Sequence, residues 1–457
     1  MLFNSITFVL FHFLCVGLYW LVPQQKVRQV VLMVGSAVFY GWYFWPALIL
    51  LGASILVNYG FSRWIDAAEN KSLATKVAIL VNLSSLCWFK YSAFISENCV
   101  DLLAAIGIEI SVPPHSHWLP LGISFYTFQV IGYLVDISRG KIGAEKSFLV
   151  FGVFKCFYAQ LVAGPIVRAS ELIPQLTSKR VFRASDFLLG LYLLLVGLAF
   201  KISLADTLAQ FVEHAFNNPG NLEVATAWLS LYAFSAQILC DFWGYSTVAI
   251  GLGLMYGIQL PINFNLPYLA TSIREFWHRW HITLSEWLRD YLYIPLGGNR
   301  AHQNRNLFLT MLLGGLWHGA SWNFVFWGTG HGIWLVLERL IPKFLPSGRV
   351  GSALRWFLVF NGVSLLWVFF RAETIGDALA YFKALLIPPF TMIDSPPDAL
   401  VFLLLGFVLF STLLGKSMID RRFLKWSRWR QVGVAFLMIL LILSAADARL
   451  DFIYFVF

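Results

Sequence analysis

The sequence has little charge for its length. Of its 457 residues only 12% are Asp, Glu, Lys or Arg, against about 25% in soluble domains. A soluble globule could not cover its surface with so few charged side chains, and 59% of the residues are hydrophobic. Disordered chains, disulfide scaffolds and nucleic-acid-binding domains are equally poor fits. The composition therefore predicts an integral membrane protein.

Sequence motifs for disulfide frameworks, metal sites, nucleotide binding and serine nucleophiles are also missing. The five cysteines are scattered without a CxxC pair, which indicates small buried hydrophobes rather than a disulfide framework or a metal site. No Walker loop, dinucleotide glycine fingerprint or GxSxG nucleophile elbow is present. A zinc ion between His278, His281 and His318 lacks the support of an HxxxH motif or a cysteine pair, so no metal is predicted.

Long apolar segments make up most of the chain. A membrane-spanning helix needs about 20 mainly apolar residues, and the sequence predicts about twelve. The candidates lie near residues 5–23, 29–45, 46–62, 76–95, 119–137, 186–204, 225–243, 307–322, 323–340, 354–370, 399–415 and 431–446. The first is expected to be a retained span, because it lacks the basic start and small-residue cleavage motif of a signal peptide.

The charges of the connecting loops predict an orientation. Loops 95–118 and 202–224 carry acidic side chains and no Lys or Arg, whereas 139–146, 263–306 and 416–430 are basic. Because Lys and Arg collect on the cytoplasmic side, both termini are predicted on the outer face. The net charge of +9 then lies mainly inside, where it meets anionic lipid headgroups.

Segment 148–163 is apolar enough to cross the membrane but has basic loops on both sides. A single crossing would place one of those loops on the wrong face, so we predict a re-entrant hairpin that turns at residues 163–165. Non-helical backbone inside a membrane must be covered by protein or by a water-filled cavity. A cavity is therefore expected nearby.

Residues 263–340 concentrate His, Arg, Trp and Gly. Within this block, residues 274–294 predict one amphipathic helix that lies at the inner surface or covers a cavity, with His281 on its apolar face and His278 on its polar face. From spacing alone, an interfacial or packed histidine is the favoured interpretation at position 281, and a functional histidine is the alternative. The arginines of this helix could equally face lipid headgroups.

His318 and His331 lie in an apolar stretch where an ionisable side chain is costly and normally faces a cavity or a partner. The glycines beside His318 leave room for a backbone or a thin acyl chain. A histidine there could act as a general base on a hydroxyl that attacks a thioester. The structural alternative is a histidine bonded between helices, which is the favoured interpretation for His331.

Two other polar residues are weaker candidates. Asp241 lies at the predicted inner end of a span, where it could orient a histidine or bind a cation. Capping a helix that begins at Phe242, or pairing with a cytoplasmic arginine, is the simpler explanation. Asn323 could satisfy a broken helix end or contact substrate.

Stretches along the whole chain resemble the membrane-bound O-acyltransferase family. They are MLFNS at the start, PLGISFYTFQVIGYLVDISRG (120–140), AGPIVR (163–168), DFWGYSTVAIGLGLM (241–255), EFWHRWHITLSEWLRDYLYIPLGGNR (275–300), LFLTMLLGGLWHGASWNFVFWGTGHG (307–332) and FIYFVF (452–457). The similarity is to the branch that contains the alginate O-acetyltransferase subunit, with cellulose- and peptidoglycan-acetylating subunits and the D-alanyl transferase of teichoic acids as relatives. Trp243 is a departure, because that branch has serine at this position.

The resemblance implies an all-α integral membrane protein, a single polytopic domain over residues 1–457 with its catalytic block at about 241–340. About 11–12 transmembrane helices, with re-entrant and amphipathic helices, would ring a central funnel. The family's essential histidine falls on His318 and its second motif histidine on His281, and Asp241 and Asn323 are the supporting candidates. Backbone dipoles near 314–315, or Asn323, could stabilise an oxyanion.

The implied reaction is transfer of an acetyl group from cytoplasmic acetyl-CoA, through the bacterial inner membrane, to a periplasmic acceptor. The expected partner is a periplasmic SGNH-type acetyltransferase or another polysaccharide-modifying protein, and the product an O-acetylated exopolysaccharide such as alginate, with peptidoglycan or cellulose as alternatives. Acetyl-CoA is the donor substrate, no bound cofactor is expected, and membrane lipids but no nucleic acid are contacted. The arginines suited to the phosphates of CoA are Arg274, Arg279, Arg289 and Arg300.

Two rival functions remain open from the sequence. A transporter or flippase for acyl groups or lipid-linked sugars would share the funnel but would need no proton-abstracting histidine. The absence of an internal repeat weighs against a transporter built from inverted halves. A structural subunit that only anchors a periplasmic transferase would show no CoA-dependent chemistry without its partner.

Overall fold

The computed structural model describes residues 1, 3–42, 44–110, 118–162, 164–340, 348–386, 424–445 and 452. Over these residues the chain is helical and contains no β-strand. The α-helices of the described residues are α1 (Ile6–Leu21), α2 (Gln25–Gly41), α3 (Trp45–Ala67), α4 (Lys71–Leu86), α5 (Ser92–Ala105), α6 (Ile123–Ser138), α7 (Phe148–Cys156), α8 (Tyr158–Leu161), α9 (Ala169–Thr177), α10 (Ala184–Ala199), α11 (Thr207–Asn217), α12 (Val224–Met255), α13 (Ile273–Arg279), α14 (Ile282–Leu288), α15 (Gln303–His318), α16 (Trp322–Leu340), α17 (Arg349–Arg371), α18 (Ile375–Leu386) and α19 (Arg428–Ser444).

Several of these helices have the length and composition of membrane spans. Within the described ranges, five continuous helical stretches qualify, and they are Trp45–Ala67, Lys71–Ala105, Ala184–Asn217, Val224–Met255 and Arg349–Arg371. Large apolar side chains point outward from the bundle, as Leu21 does with 79% of its surface exposed, and a bilayer would cover them. The predicted helical membrane protein is thus confirmed, while the candidate span at 399–415 lies outside the described residues.

Two of the long stretches contain a π-helical turn. Cys87–Tyr91 joins α4 to α5, and Phe200–Asp206 joins α10 to α11. Such turns insert an extra residue into the helix and often occur at functional sites. Each of these two turns carries a lysine, Lys90 and Lys201, in an otherwise apolar stretch.

Helix α12 runs through the centre of the bundle and packs closely against α10. A methyl group added at Gly190 would lie 2.7 Å from the carbonyl oxygen of Gly251, and one added at Gly197 would lie 2.5 Å from that of Gly244. Small residues allow this approach of two backbones, as is common between helices in membranes. Gly251 therefore serves the packing of α12 against α10.

The segment predicted to be re-entrant is short and broken. Helix α7 has nine residues and rises about 13.5 Å, less than half of a hydrocarbon core of about 30 Å. The helix breaks at Phe157, continues for one turn as α8, and bends at Gly164. The side chains of Val150–Val162 are buried, so protein covers the irregular backbone as such a hairpin requires.

The prediction of a single amphipathic helix over 274–294 is wrong. The structure has two short helices, α13 and α14, and a π-helical turn, Arg289–Tyr293. His281 lies at the break with a φ of +41°. The reason is tertiary, because the extended segment 263–265 pairs with the break: Asn265 N–H donates to the Arg279 carbonyl and Ile282 N–H to that of Asn263, both at 2.9 Å.

Candidate active site

His318 is the last residue of α15, where the chain turns into α16. The two helices meet closely because Gly315 packs against the backbone of Gly328. His318 is only 4% exposed, and its ring lies among aromatic side chains. Its ring centroid is 5.0 Å from that of Trp317, 4.9 Å from Trp327 and 5.3 Å from Phe370. The predicted catalytic histidine therefore stands at a buried helix end.

That helix end is capped from the π-helical turn between α4 and α5. The Lys90 ammonium donates to the Trp317 carbonyl at 2.7 Å and to the His318 carbonyl at 2.9 Å. The Tyr91 hydroxyl donates to the Leu316 carbonyl at 2.6 Å. Sequence reasoning missed both residues, although a lysine inside a predicted span is itself a signal of function.

His281 is fully buried beside the same aromatic cluster. Its ring lies 4.7 Å from that of Phe242 and 6.1 Å from Trp317, which is also the neighbour of His318. Its Nδ1 is 3.4 Å from Asn263 Oδ1, and its Nε2 has no hydrogen-bond partner among the described residues. The structure thus brings His281 and His318 against the same tryptophan, Trp317.

Asn263 is a further residue that the sequence gave no reason to select. Its Oδ1 accepts from the Thr283 hydroxyl at 2.7 Å and from the Thr283 N–H at 3.3 Å, while its Nδ2 donates to Ser246 Oγ at 3.2 Å. It therefore ties the break at His281 to α12. Only the tertiary structure reveals this, because Asn263 and Thr283 are twenty residues apart in the sequence.

His278 and His331 occupy contrasting environments. His278 is exposed and lines a surface cavity. His331 is fully buried, packs against Phe276, Trp277 and Trp327, and neither ring nitrogen has a hydrogen-bond partner within the described part of the chain. The burial expected from sequence for His281 and the exposure expected for His278 are both confirmed.

Asp241 does not lie at the end of a span. It is in the middle of α12, which continues to Met255, and its carboxylate pairs with Lys201 at 2.7 Å. Lys201 also pairs with Asp206 at 2.6 Å. The predicted helix cap and the cytoplasmic arginine partner are therefore wrong, because a lysine from the π-helical turn supplies the counter-charge inside the bundle. Its neighbour Phe242 contacts the His281 ring.

This buried ion cluster gives a stability prediction. Replacing Lys201 with methionine leaves two buried carboxylates without their ammonium partner, and should lower the free energy of unfolding by about 3–5 kcal/mol. Asp241→Asn keeps the pair between Lys201 and Asp206 and should cost less. Unfolding of both variants in mixed detergent measures this, and an equal or smaller loss for Lys201→Met would contradict the assignment.

Asn323 and the glycines at 314–315 have structural contacts in this fold. Asn323 Nδ2 donates to the Ala372 carbonyl, at the end of α17, at 2.6 Å. Gly314 and Gly315 lie inside α15, where their N–H groups belong to the helix ladder. The helix ladder occupies these glycine N–H groups, and an oxyanion role for these dipoles or for Asn323 stays a prediction.

A cavity of about 370 Å³ lies between α13, α14, the turn Arg289–Tyr293 and α15. Of the four arginines predicted to bind CoA, Arg274 and Arg289 line it, and Arg279 and Arg300 do not. Polar and apolar side chains complete the wall; they are Trp277, His278, Ile282, Ser285, Glu286, Leu288, Tyr293, Asn299, Gln303, Leu307, Thr310, Met311 and Leu335. The cavity is of a size that proteins use for small ligands.

Arg279 is engaged elsewhere. Its guanidinium pairs with Glu275 at 2.6 Å and donates to the carbonyls of Asn265 and Leu266, both at 3.4 Å. Burial acts to raise the pKa of Glu275, but hydrogen bonds from Thr271 and Arg279 outweigh it, so the pKa is lowered. This arginine holds segment 263–265 against α13.

Arg289 lies beside a second ion cluster. Asp290 accepts from Arg289 Nε at 2.7 Å and from Arg168 Nη2 at 3.0 Å. Arg168 follows the broken segment of α7 and α8, and its guanidinium lies 4.4 Å from the centre of the Tyr291 ring. The re-entrant region is thereby joined to the wall of the cavity.

His318 and the cavity are separated by a layer of side chains. Met311, on the wall, precedes His318 by two helical turns, about 10 Å along α15. Trp277, also on the wall, lies 5.8 Å from Trp327 between ring centroids, and Trp327 touches His318. Among the described residues, no group of three or more His, Cys, Asp or Glu side chains is placed to hold a metal ion.

The fold and the site define a class: a polytopic helical membrane protein with buried histidines beside an arginine-lined cavity. The sequence model of the membrane-bound O-acyltransferase family matches residues 116–376, which include every predicted site residue. The chain belongs to the membrane-bound O-acyltransferase family, and it is an O-acyltransferase.

Individual relatives agree with this assignment. The chain is 41% identical to the probable alginate O-acetylase AlgI of Pseudomonas aeruginosa over 396 residues, covering 84% of this chain and 75% of the relative. It is 37% identical to the peptidoglycan O-acetyltransferase of Helicobacter pylori, covering 84% of this chain and 80% of the relative. Identity to the teichoic acid D-alanyltransferase of Streptococcus thermophilus is 29%, over 55% of this chain and 68% of the relative.

Proposed function

We propose that this protein transfers an acetyl group from cytoplasmic acetyl-CoA to an acceptor on the outer side of the bacterial inner membrane, with His318 as the general base. One observation carries the proposal. His318 lies buried at a capped helix end, two turns along α15 from a cavity lined by two arginines.

The cavity is the donor site in this proposal. Arg274 and Arg289 would meet the phosphates of CoA, because guanidinium groups bind phosphate oxygens in a bidentate way. A volume of about 370 Å³ suits the pantetheine arm and the acetyl group rather than the whole of CoA. The nucleotide would then remain at the mouth, and the thioester would pass the Trp277 and Trp327 rings to reach His318.

The reaction needs one proton carrier. The acceptor hydroxyl loses its proton to the His318 imidazole as its oxygen attacks the thioester carbonyl carbon. When the carbon–sulfur bond breaks, the imidazolium returns the proton to the departing thiolate, so the products are an O-acetyl ester and free CoA. His281, which also contacts Trp317, is the proposed second histidine of the site.

The acceptor is inferred from the relatives. Their names include an alginate O-acetylase and a peptidoglycan O-acetyltransferase, which favours an extracytoplasmic polysaccharide. We propose an exopolysaccharide such as alginate, reached through a periplasmic SGNH-type acetyltransferase or another polysaccharide-modifying partner, with peptidoglycan or cellulose as alternatives. Testing each polysaccharide as acceptor in proteoliposomes, with and without the candidate partner, distinguishes them by which one gains acetyl esters.

The orientation is a separate part of the proposal. Both termini are placed on the periplasmic side by the distribution of basic loops. Fusions of alkaline phosphatase to each end test it, since this reporter is active only in the periplasm. Inactive fusions at both ends would indicate that both termini are cytoplasmic. The arginine-lined cavity would then lie outside, away from cytoplasmic CoA.

The donor site gives a binding prediction. Replacing both Arg274 and Arg289 with glutamine should raise KM for acetyl-CoA about tenfold or more and change kcat much less, because these side chains would bind a part of the donor that does not react. Arg300→Gln is the matched control, since Arg300 is a neighbouring arginine outside the cavity wall. Unchanged KM in the double variant, measured in proteoliposomes, would place the donor elsewhere.

A further inference from the structure

The Lys90 ammonium ends at the backbone of the candidate catalytic residue. Its hydrogen bonds go to the carbonyls of Trp317 and His318, with Ser124 Oγ at 3.4 Å as a third, longer contact. These acceptors use all three N–H groups of the ammonium. Lys90 also lies outside residues 116–376, the part of the chain that matches the family model.

A helix end inside a membrane needs hydrogen-bond partners for its last carbonyl groups. The last four carbonyls of a helix have no partner within the helix, and no bulk water is available to them in hydrocarbon. Lys90 and Tyr91 together satisfy three carbonyls in the last turn of α15. A cation at this position also complements the negative end of the helix dipole.

Capping alone does not require a charge. The Tyr91 hydroxyl performs the same task for Leu316 without one, and a cation in a membrane span is costly. Within the described part of the chain, no carboxylate lies within 4.0 Å of the Lys90 ammonium. Among the described residues, an ammonium at this position is therefore offset only by the dipoles of two carbonyls, including that of His318, and of one hydroxyl.

A positive charge on Lys90 would stabilise the transition state of acyl transfer. When a hydroxyl attacks a thioester, negative charge develops first on the carbonyl oxygen and then on the departing sulfur. A fixed positive charge in a low-dielectric site favours such a transition state, and it acts over several ångströms. The correct backbone position of His318 matters as well, because small displacements of a general base reduce rates steeply.

We propose that Lys90 is a positioning residue for His318: it fixes the last turn of α15 and keeps a positive charge at the acyl-transfer centre. The inference rests on the proposed function of His318. The two proposals can be tested separately. Failure of the proposed function would appear in a comparison of the wild-type protein with His318→Ala, which does not involve Lys90.

The test compares four variants in proteoliposomes supplied with acetyl-CoA and acceptor. Lys90→Met should lower kcat about 30-fold or more and leave KM for acetyl-CoA within about twofold. Lys90→Gln keeps an amide donor but no charge and should remain nearly as slow. Lys90→Arg should recover most of the loss, and Tyr91→Phe, the matched capping control, should change kcat less than about threefold.

Several results would overturn the inference. They are wild-type kcat in folded Lys90→Met, a loss confined to KM, no recovery in Lys90→Arg, or an equal loss in Tyr91→Phe. Failure of Lys90→Met and Lys90→Gln to fold, judged by size-exclusion chromatography and thermal unfolding, would also count against it, because Lys90 would then serve stability alone. If the wild-type protein shows no transfer that depends on His318, the proposed function fails instead.

Discussion

Replacing His318 with alanine is expected to reduce acyl transfer about a thousandfold while the protein remains folded. A positioned general base typically contributes 10²- to 10⁴-fold to a rate, and among the described residues His318 is the imidazole at the capped end of α15. Acetyl-ester content of the polysaccharide made by cells that carry the variant measures the effect. Thermal unfolding of the purified variant shows whether the fold is kept.

The control for His318 is another buried histidine of the same helical hairpin. His331 is fully buried among aromatic rings, and His331→Leu should change acyl transfer less than about tenfold, since His331 has no proton to carry in the proposed reaction. Comparable losses in His318→Ala and His331→Leu would indicate that packing of the aromatic cluster, rather than proton transfer, explains the effect.

Replacing His281 with alanine is expected to cost about a hundredfold in kcat, and His278→Ala less than about threefold. They are three positions apart in the sequence, but the break between α13 and α14 places them in different environments. His281 is buried against Phe242 and Trp317 beside the proposed reaction centre, whereas His278 is exposed on the cavity wall. Steady-state kinetics of both variants, with KM for acetyl-CoA determined separately, make the comparison.

Equal and severe losses in kcat for the two variants would contradict this assignment of roles. A loss in KM alone for His278→Ala would fit its place on the proposed donor cavity, and would leave the assignment of His281 intact.

The composition was sufficient to predict the class of fold. Apolar runs gave the existence of most helices, and their positions agree for α1 and α17, for example. The predicted helix boundaries were less accurate where a charged residue suggested the end of a helix. Asp241 suggested that a span stops near residue 243, yet α12 continues to Met255 because Lys201 neutralises the carboxylate inside the bundle.

The break at His281 could not be read from periodicity. Apolar residues continue at helical spacing from Trp277 to Tyr291, so the local pattern favours one helix. The competing interaction comes from segment 263–265, which takes the backbone hydrogen bonds at the break. The spacing of apolar residues in 274–294 gives no indication of that contact.

The candidate site was predictable in part. His318 and His281 were identified because histidines in apolar sequence are rare and the surrounding motif resembles a known family. The residues that hold them, Lys90 and Asn263, come from distant parts of the sequence, and only the fold brings them to the histidines. The sequence also could not distinguish among the arginines. Four were predicted to bind CoA, and two of them line the cavity.

The most direct test of the account is release of free CoA from radiolabelled acetyl-CoA by the purified protein with a polysaccharide acceptor. We expect the wild-type protein to release CoA and to form labelled acetyl ester in equal amounts, and His318→Ala to do neither above background. Equal release by the wild type and a folded His318→Ala variant, or uptake of label without cleavage of the thioester, would contradict it.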